Sequence, residues 1–165
     1  MQTFGRGSYR PFPWYFEGEC QVSVSNLDEL CEWLLECEYA HDEALFNDAD
    51  FWQHPRTFEH LRKGDCEDHA LWAWRKLVEL GYEAELLSGI WHPHGDEPGG
   101  HVWVRFKKDD ADFILETVGR NRERMIRPFT EAKVEYIPHA GVDHQFQRFA
   151  YFGYMRTFRS PSRGA

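Results

Sequence analysis

No apolar run in the chain approaches the roughly 18 to 20 residues of a membrane span, and residues 1–10 lack the hydrophobic segment of a secretory signal. Both absences lead us to expect a cytoplasmic protein with no membrane partner. Cysteine is scarce: Cys20, Cys31, Cys37 and Cys66 form no C-x-x-C pair and are too few for the disulfide framework of a small secreted domain. Reduced thiols are expected. Positions 11–55 hold no Lys or Arg against eleven acidic side chains, and the net charge is −9. That charge argues against nonspecific nucleic-acid binding by the surface as a whole. Residues 120–165 reverse the balance, with nine basic and four acidic side chains, so the two ends are expected to complement each other. Arg120, Arg122, Arg124 and Arg127 read as a solvated face. Internal repeats and low-complexity segments are also missing.

What is present is a globular composition, 42% hydrophobic with seven Trp and thirteen Phe, enough for a core and a ring-lined cleft. The length of 165 residues predicts a single domain. Residues 1–19, rich in Gly, Pro and aromatics, read as an irregular arm packed on the body, and residues 159–165 as a mobile tail.

Ser25 or Asn26 caps a helix whose Leu27, Leu30, Cys31, Leu34 and Leu35 form one buried stripe, which makes Cys31 and Cys37 core thiols. Residues 40–62 predict a short helix, a loop at Trp52-Gln53-His54-Pro55, and a further helical turn leading into Gly64. From 66 to 80, Cys66, Ala70, Ala73, Leu77 and Leu80 give a continuous inward face ending at Gly81, a natural C-cap. Strands are expected at 84–91, 101–106, 113–118, 133–138 and 151–158. Helices first and an antiparallel sheet afterwards make an α+β fold, with the sheet packed on the central helix.

Only Cys66 lies where a helix dipole and loop exposure favour a thiolate. A helix N-terminus lowers a thiol pKa, and its free amides can hold an oxyanion. Asp65, Glu67 and Asp68 act in the opposite sense, and a buried core thiol is the competing reading. His101 opens one strand, and Glu116 is the single acid of the next. A two-residue turn at Asp109-Asp110 sets the two diagonally across the hairpin; one at Lys108-Asp109 sets them directly opposite. Either register leaves both on one face. No metal is expected: His92, His94, His101, Cys66 and His69 are poorly spaced as ligands, and the three acids cap the helix start with no calcium-type loop around them.

Gly64-Asp65-Cys66-Glu67-Asp68-His69-Ala70 at a helix start resembles the nucleophile motif of the transglutaminase-like superfamily, nearest to the bacterial transglutaminase-like cysteine peptidases of papain-like fold. The likeness spans about residues 26–120. It implies Cys66 as nucleophile, His101 as general base and acid, and Glu116 as orienting carboxylate where the family usually has Asp. It also implies an upstream oxyanion donor, for which Gln53 is favoured, with Trp52 walling the cleft and Trp103 beside the substrate. No cofactor is implied. The expected partner is a peptide or protein substrate, and the reaction is amide hydrolysis. Glutamine deamidation, transamidation and a catalytically inactive binding module stay open.

Overall fold

A computed structural model describes residues 10–42, 51–93 and 95–158, the last without its side chain. The first nine residues of the arm, the short helix expected after position 40, His94 and the tail from 159 lie outside the described residues.

The first helix, α1 (Leu27–Glu36), starts at Asn26, whose Oδ1 accepts the Glu29 N–H at 2.9 Å; the Glu29 side chain returns to the Ser25 N–H at 2.7 Å. A two-residue strand β1 (Glu38–Tyr39) pairs in parallel with β2 (Lys63–Gly64), and between them lies α2 (Pro55–Leu61). The central helix is α3 (Cys66–Glu79). Gly81 follows it at φ 93°, a left-handed conformation that glycine reaches without steric penalty.

Seven antiparallel strands follow: β3 (Ala84–Trp91), β4 (Gly99–Lys108), β5 (Ala111–Leu115), β6 (Ile126–Pro128), β7 (Tyr136–Val142), β8 (Arg148–Phe152) and β9 (Met155–Phe158). Their spatial order is β6-β5-β4-β3-β7-β8-β9. Short helices α4 (Arg122–Met125) and α5 (Phe129–Ala132) flank β6. The expected α+β plan holds. Only 84–91 keeps its expected bounds: 101–106 extends to Gly99–Lys108, 113–118 is Ala111–Leu115, 133–138 begins with a 3-10 turn and runs on as β7, and 151–158 is a hairpin broken at Gly153, φ 59°.

Alternation divides the sheet into two apolar faces. Leu86, Val102, Val104, Phe106, Ala140 and Val142 pack toward α3, while Leu87, Trp103, Ile114 and Tyr136 form a second cluster. Leu71, Trp74 and Val78 widen the inward face, and the helix is buried beyond even that, since Trp72, Arg75 and Lys76 are buried too. The arm explains this. Its 3-10 turn at Phe12–Phe16 inserts Phe12 and Tyr15, and Arg75 donates to the carbonyls of Tyr15, Glu17 and Gly18. Lys76 pairs with buried Glu59 at 3.3 Å, and Glu59 also accepts from the Trp72 indole at 2.9 Å. Polar groups on the outer face of α3 are therefore buried with partners, as burial in a low dielectric demands. The expected charge complementarity is met in part. Arg122 pairs with Asp28, and Arg120 donates to the Leu35 and Cys37 carbonyls at the end of α1.

Candidate active site

Gly64 permits the turn into α3. A Cβ there would lie 2.4 Å from Asp68 Oδ2, because the Asp68 side chain folds back over it. Asp68 is fully buried and accepts from the Asp65 N–H at 3.2 Å, closing the first turn of the helix. The same carboxylate takes the Gln53 backbone N–H at 2.8 Å and its Nε2 at 2.9 Å. Burial, then Asp65, push the Asp68 pKa well up, and the Gln53 donors oppose the rise.

These bonds settle where Gln53 points. It is fully buried, and besides Asp68 its Nε2 donates to the Lys63 carbonyl at 2.8 Å. Both amide protons thus bind the loop to the helix start, and the expected oxyanion donor is engaged elsewhere. Trp52 likewise is buried in the core, edge-on to Phe12, where an open cleft wall was expected.

Cys66, half-buried at the first position of α3, has the Val102 backbone N–H beside its sulfur, which puts the thiol near the chain one residue from His101. Its Sγ also lies 3.3 Å from Glu67 Oε2. Burial pushes the Cys66 thiol pKa up, and Glu67 and Asp65 add to the rise against the Val102 hydrogen bond. Cys31 and Cys37 are core thiols, raised by burial to about 11 and about 12; the partly buried Cys20 is raised to about 11 by burial and then by Glu59.

The β4–β5 hairpin turns at Asp109-Asp110, both at positive φ (51° and 61°), and pairs Val104 with Leu115. This is the register that sets Glu116 diagonally across from His101. β5 ends one residue earlier, and the Glu116 N–H bonds instead to the Met125 carbonyl at 2.8 Å. His101 Nε2 then meets Glu116 Oε1 at 2.9 Å and Oε2 at 2.8 Å, with both side chains buried. Nδ1 is the nitrogen left to exchange a proton with a thiol. Trp91 stacks on the His101 ring at 4.5 Å, and Trp103 lies behind it at 6.2 Å. Trp103 is almost wholly buried, so it backs the imidazole and offers a substrate no surface.

Three features had no legible signal in the sequence. Tyr136 hydrogen-bonds Glu116 from β7. Tyr39, partly exposed and stacked on His69 at 6.3 Å, has its phenol pKa raised by burial and by Cys66 and its neighbouring acids, so it borders the thiol. Asp42, far upstream, joins Asp65 and Glu67 in a cluster whose oxygens all lie within 4.8 Å of one another. Burial, with Asp65 adding to it, pushes Asp42 up to about 6 against the Phe51 N–H. A hard divalent cation with six to eight oxygen ligands fits such a donor set.

A helix-start cysteine beside a histidine held by a carboxylate is the arrangement that a thiol hydrolase needs. Residues 21–149 match the family described as bacterial transglutaminase-like cysteine proteinases, BTLCP. The chain belongs to that family. The resemblance read from the Gly-Asp-Cys-Glu-Asp-His-Ala stretch and the expected fold are thereby borne out, and the family is one of cysteine peptidases. Among solved structures it is similar to Legionella pneumophila LapG: TM-score 0.52, 16% identity, 81% of this chain and 66% of that one. The calcium-bound LapG gives 0.58, 19%, 84% and 73%, and the EGTA-treated form 0.51, 17%, 81% and 64%. At these identities the likeness is one of fold, and the chain spans about two thirds of the length of those neighbours. No curated protein matches the sequence. No helix among the described residues is long and apolar enough to cross a membrane.

Proposed function

We propose that this chain is a peptidase that cuts a peptide bond through a Cys66–His101–Glu116 triad. The observation that carries the reading is His101, with Nε2 clamped to both Glu116 oxygens while the neighbouring Val102 N–H reaches the Cys66 sulfur. Cys66 passes its proton to His101 Nδ1 and attacks the scissile carbonyl. Backbone N–H groups of the first turn of α3 hold the oxyanion, since the Gln53 amide is engaged. Imidazolium then protonates the departing amine, and water resolves the thioester with His101 as base. Gln53 and Trp52 act as scaffold in this scheme, and Trp91 and Trp103 keep the imidazole flat against the sheet.

We further propose that calcium, which one of the LapG structures holds, is taken up at Asp42, Asp65 and Glu67. When bound, it supplies positive charge beside two acids that otherwise oppose thiolate formation at Cys66.

The test incubates wild type and Cys66→Ala with a complex bacterial proteome and looks by mass spectrometry for new peptide termini. New termini with wild type alone support the peptidase. Glutamine-to-glutamate conversion or cross-links in their place would reassign the same triad to deamidation or transamidation. Calcium uptake is read separately by isothermal titration calorimetry, where wild type binds and Asp42→Asn binds more weakly. No heat with wild type overturns the cation site and leaves the triad standing.

A further inference from the structure

We propose that Tyr136 is a positioning residue of the triad, holding Glu116 so that His101 turns Nδ1 toward the thiol; this rests on the Cys66–His101–Glu116 reading. Glutamate has one more rotatable bond than the aspartate usual at this place, and it stands just beyond the end of β5, outside the strand ladder. Something must fix that longer arm. The Val118 N–H reaches Glu116 Oε1 only at 3.3 Å. The Tyr136 hydroxyl donates to Oε2 at 2.8 Å from a side chain that is 1% exposed.

The phenol is itself oriented. Arg127 on β6 sets its positive charge beside the Tyr136 oxygen and pairs with Glu135 at 2.5 Å. A guanidinium only donates, so the Tyr136 proton is directed onward to Glu116. Burial and the adjacent carboxylate push the phenol pKa well up, which keeps that proton in place. The hydrogen bonds run from Tyr136 through Glu116 to His101, each polarising the next, with the Arg127 charge behind the phenol. Trp91 closes the assembly by stacking on both rings, at 4.5 Å from His101 and 5.9 Å from Tyr136. The phenol is therefore packed by its ring and aimed by its oxygen.

Tyr136→Phe removes the hydroxyl and keeps the ring. With calcium present throughout, the rate of Cys66 alkylation by iodoacetamide, followed on the Cys66 peptide, should fall about five- to tenfold, the scale of one lost hydrogen bond. In a Glu116→Gln background the same substitution should change the rate by less than about twofold, because its effect passes through the carboxylate. The His101 Nε2–H proton, protected from exchange in wild type, should broaden or vanish in the nuclear magnetic resonance spectrum of Tyr136→Phe, which a purely structural loss would not single out. Unchanged labelling, or an equal loss in both backgrounds, overturns the inference. Should Tyr136→Phe fail to fold, Arg127→Gln is expected to slow labelling about two- to threefold, and an unchanged rate counts against the relay. Glu116→Gln alone separates the two readings: if it labels like wild type, the triad itself falls; if it is slow while Tyr136→Phe is not, only the role of Tyr136 falls.

Discussion

The two halves of the candidate active site are built to opposite electrostatic plans. On the histidine side, Glu116 is met by His101, Tyr136 and Val118, and rings wall the cluster. On the cysteine side, Asp42, Asp65 and Glu67 crowd together, and Glu67 and Asp65 help the Cys66 thiol to retain its proton. One half has its charges compensated within the chain. The other concentrates charge of one sign. In the proposed triad, this makes His101 the pre-arranged half and Cys66 the half whose thiolate depends on the charge of the acids around it.

Breaking either half at its reacting atom should have the largest effect. Cys66→Ala should abolish the appearance of new termini, and His101→Ala should slow Cys66 alkylation by roughly 10²–10⁴-fold, the usual range for a lost general base. Alkylation undiminished in His101→Ala would dissolve the comparison, since the ready half would then contribute nothing.

Gly64→Ala tests the scaffold under the cysteine. The added carbon meets Asp68 Oδ2 at 2.4 Å and Asp68 Cβ at 2.6 Å, so the helix start must shift. A loss of about 1–3 kcal/mol in urea unfolding is expected, as for other overpacked sites, together with slower Cys66 labelling. Full stability would mean that the Asp68 side chain swings away freely.

Glu67→Gln sharpens the contrast directly. It removes the larger of the two acid contributions to the raised thiol pKa, so without calcium the Cys66 labelling profile should move to lower pH and labelling at neutral pH should rise about three- to tenfold. Sensitivity to a chelator should shrink in parallel. A profile that moves to higher pH would contradict the assigned electrostatics.

The smallest effect concerns the lead-in loop. His54 caps α2, with Nδ1 accepting the Arg56 N–H at 3.1 Å and Nε2 donating to the Trp14 carbonyl at 3.1 Å, an arrangement that requires the neutral ring. Burial lowers its pKa from the ordinary 6.5. Above that value neither state takes up the proton and the full stability is present. As pH falls below it, the unfolded chain binds a proton that the folded one resists, and stability is lost. Melting temperature should therefore decline slightly on acidification below pH 6.5, less so in His54→Asn, which keeps a capping oxygen. An identical decline in both proteins would remove His54 as a cause.

The helix-start cysteine and the helix it begins were legible from local pattern. Gly64-Asp65-Cys66, the apolar period of α3 and Gly81 are all short-range features, and short-range sterics and dipoles decide them. The His101–Glu116 pair was legible for a related reason, because strand parity fixes which residues share a face once the turn is known. The direction of Gln53 was not. A loop amide has many partners within reach, and only the fold of Asp68 back over Gly64 selects one. Nor did periodicity foresee that the outer side of α3 would be buried, since the arm that covers it is far away in sequence. The single strand expected at 151–158 was in fact two, for Gly153 at positive φ turns the chain back on itself.

By itself the sequence determined a mixed fold of helices followed by an antiparallel sheet, a cysteine at a helix start, and a histidine and glutamate on one face of a hairpin. These follow from periodicities of 3.6 and 2.0 and from turn chemistry, which act over a few residues. Tertiary structure alone decided that Tyr136 reaches Glu116, that Asp42 joins the acids around Cys66, and that Gln53 is engaged away from the thiol. Each of those contacts joins segments distant in the chain, and no local rule of spacing carries information about which buried polar groups will be brought within hydrogen-bonding distance.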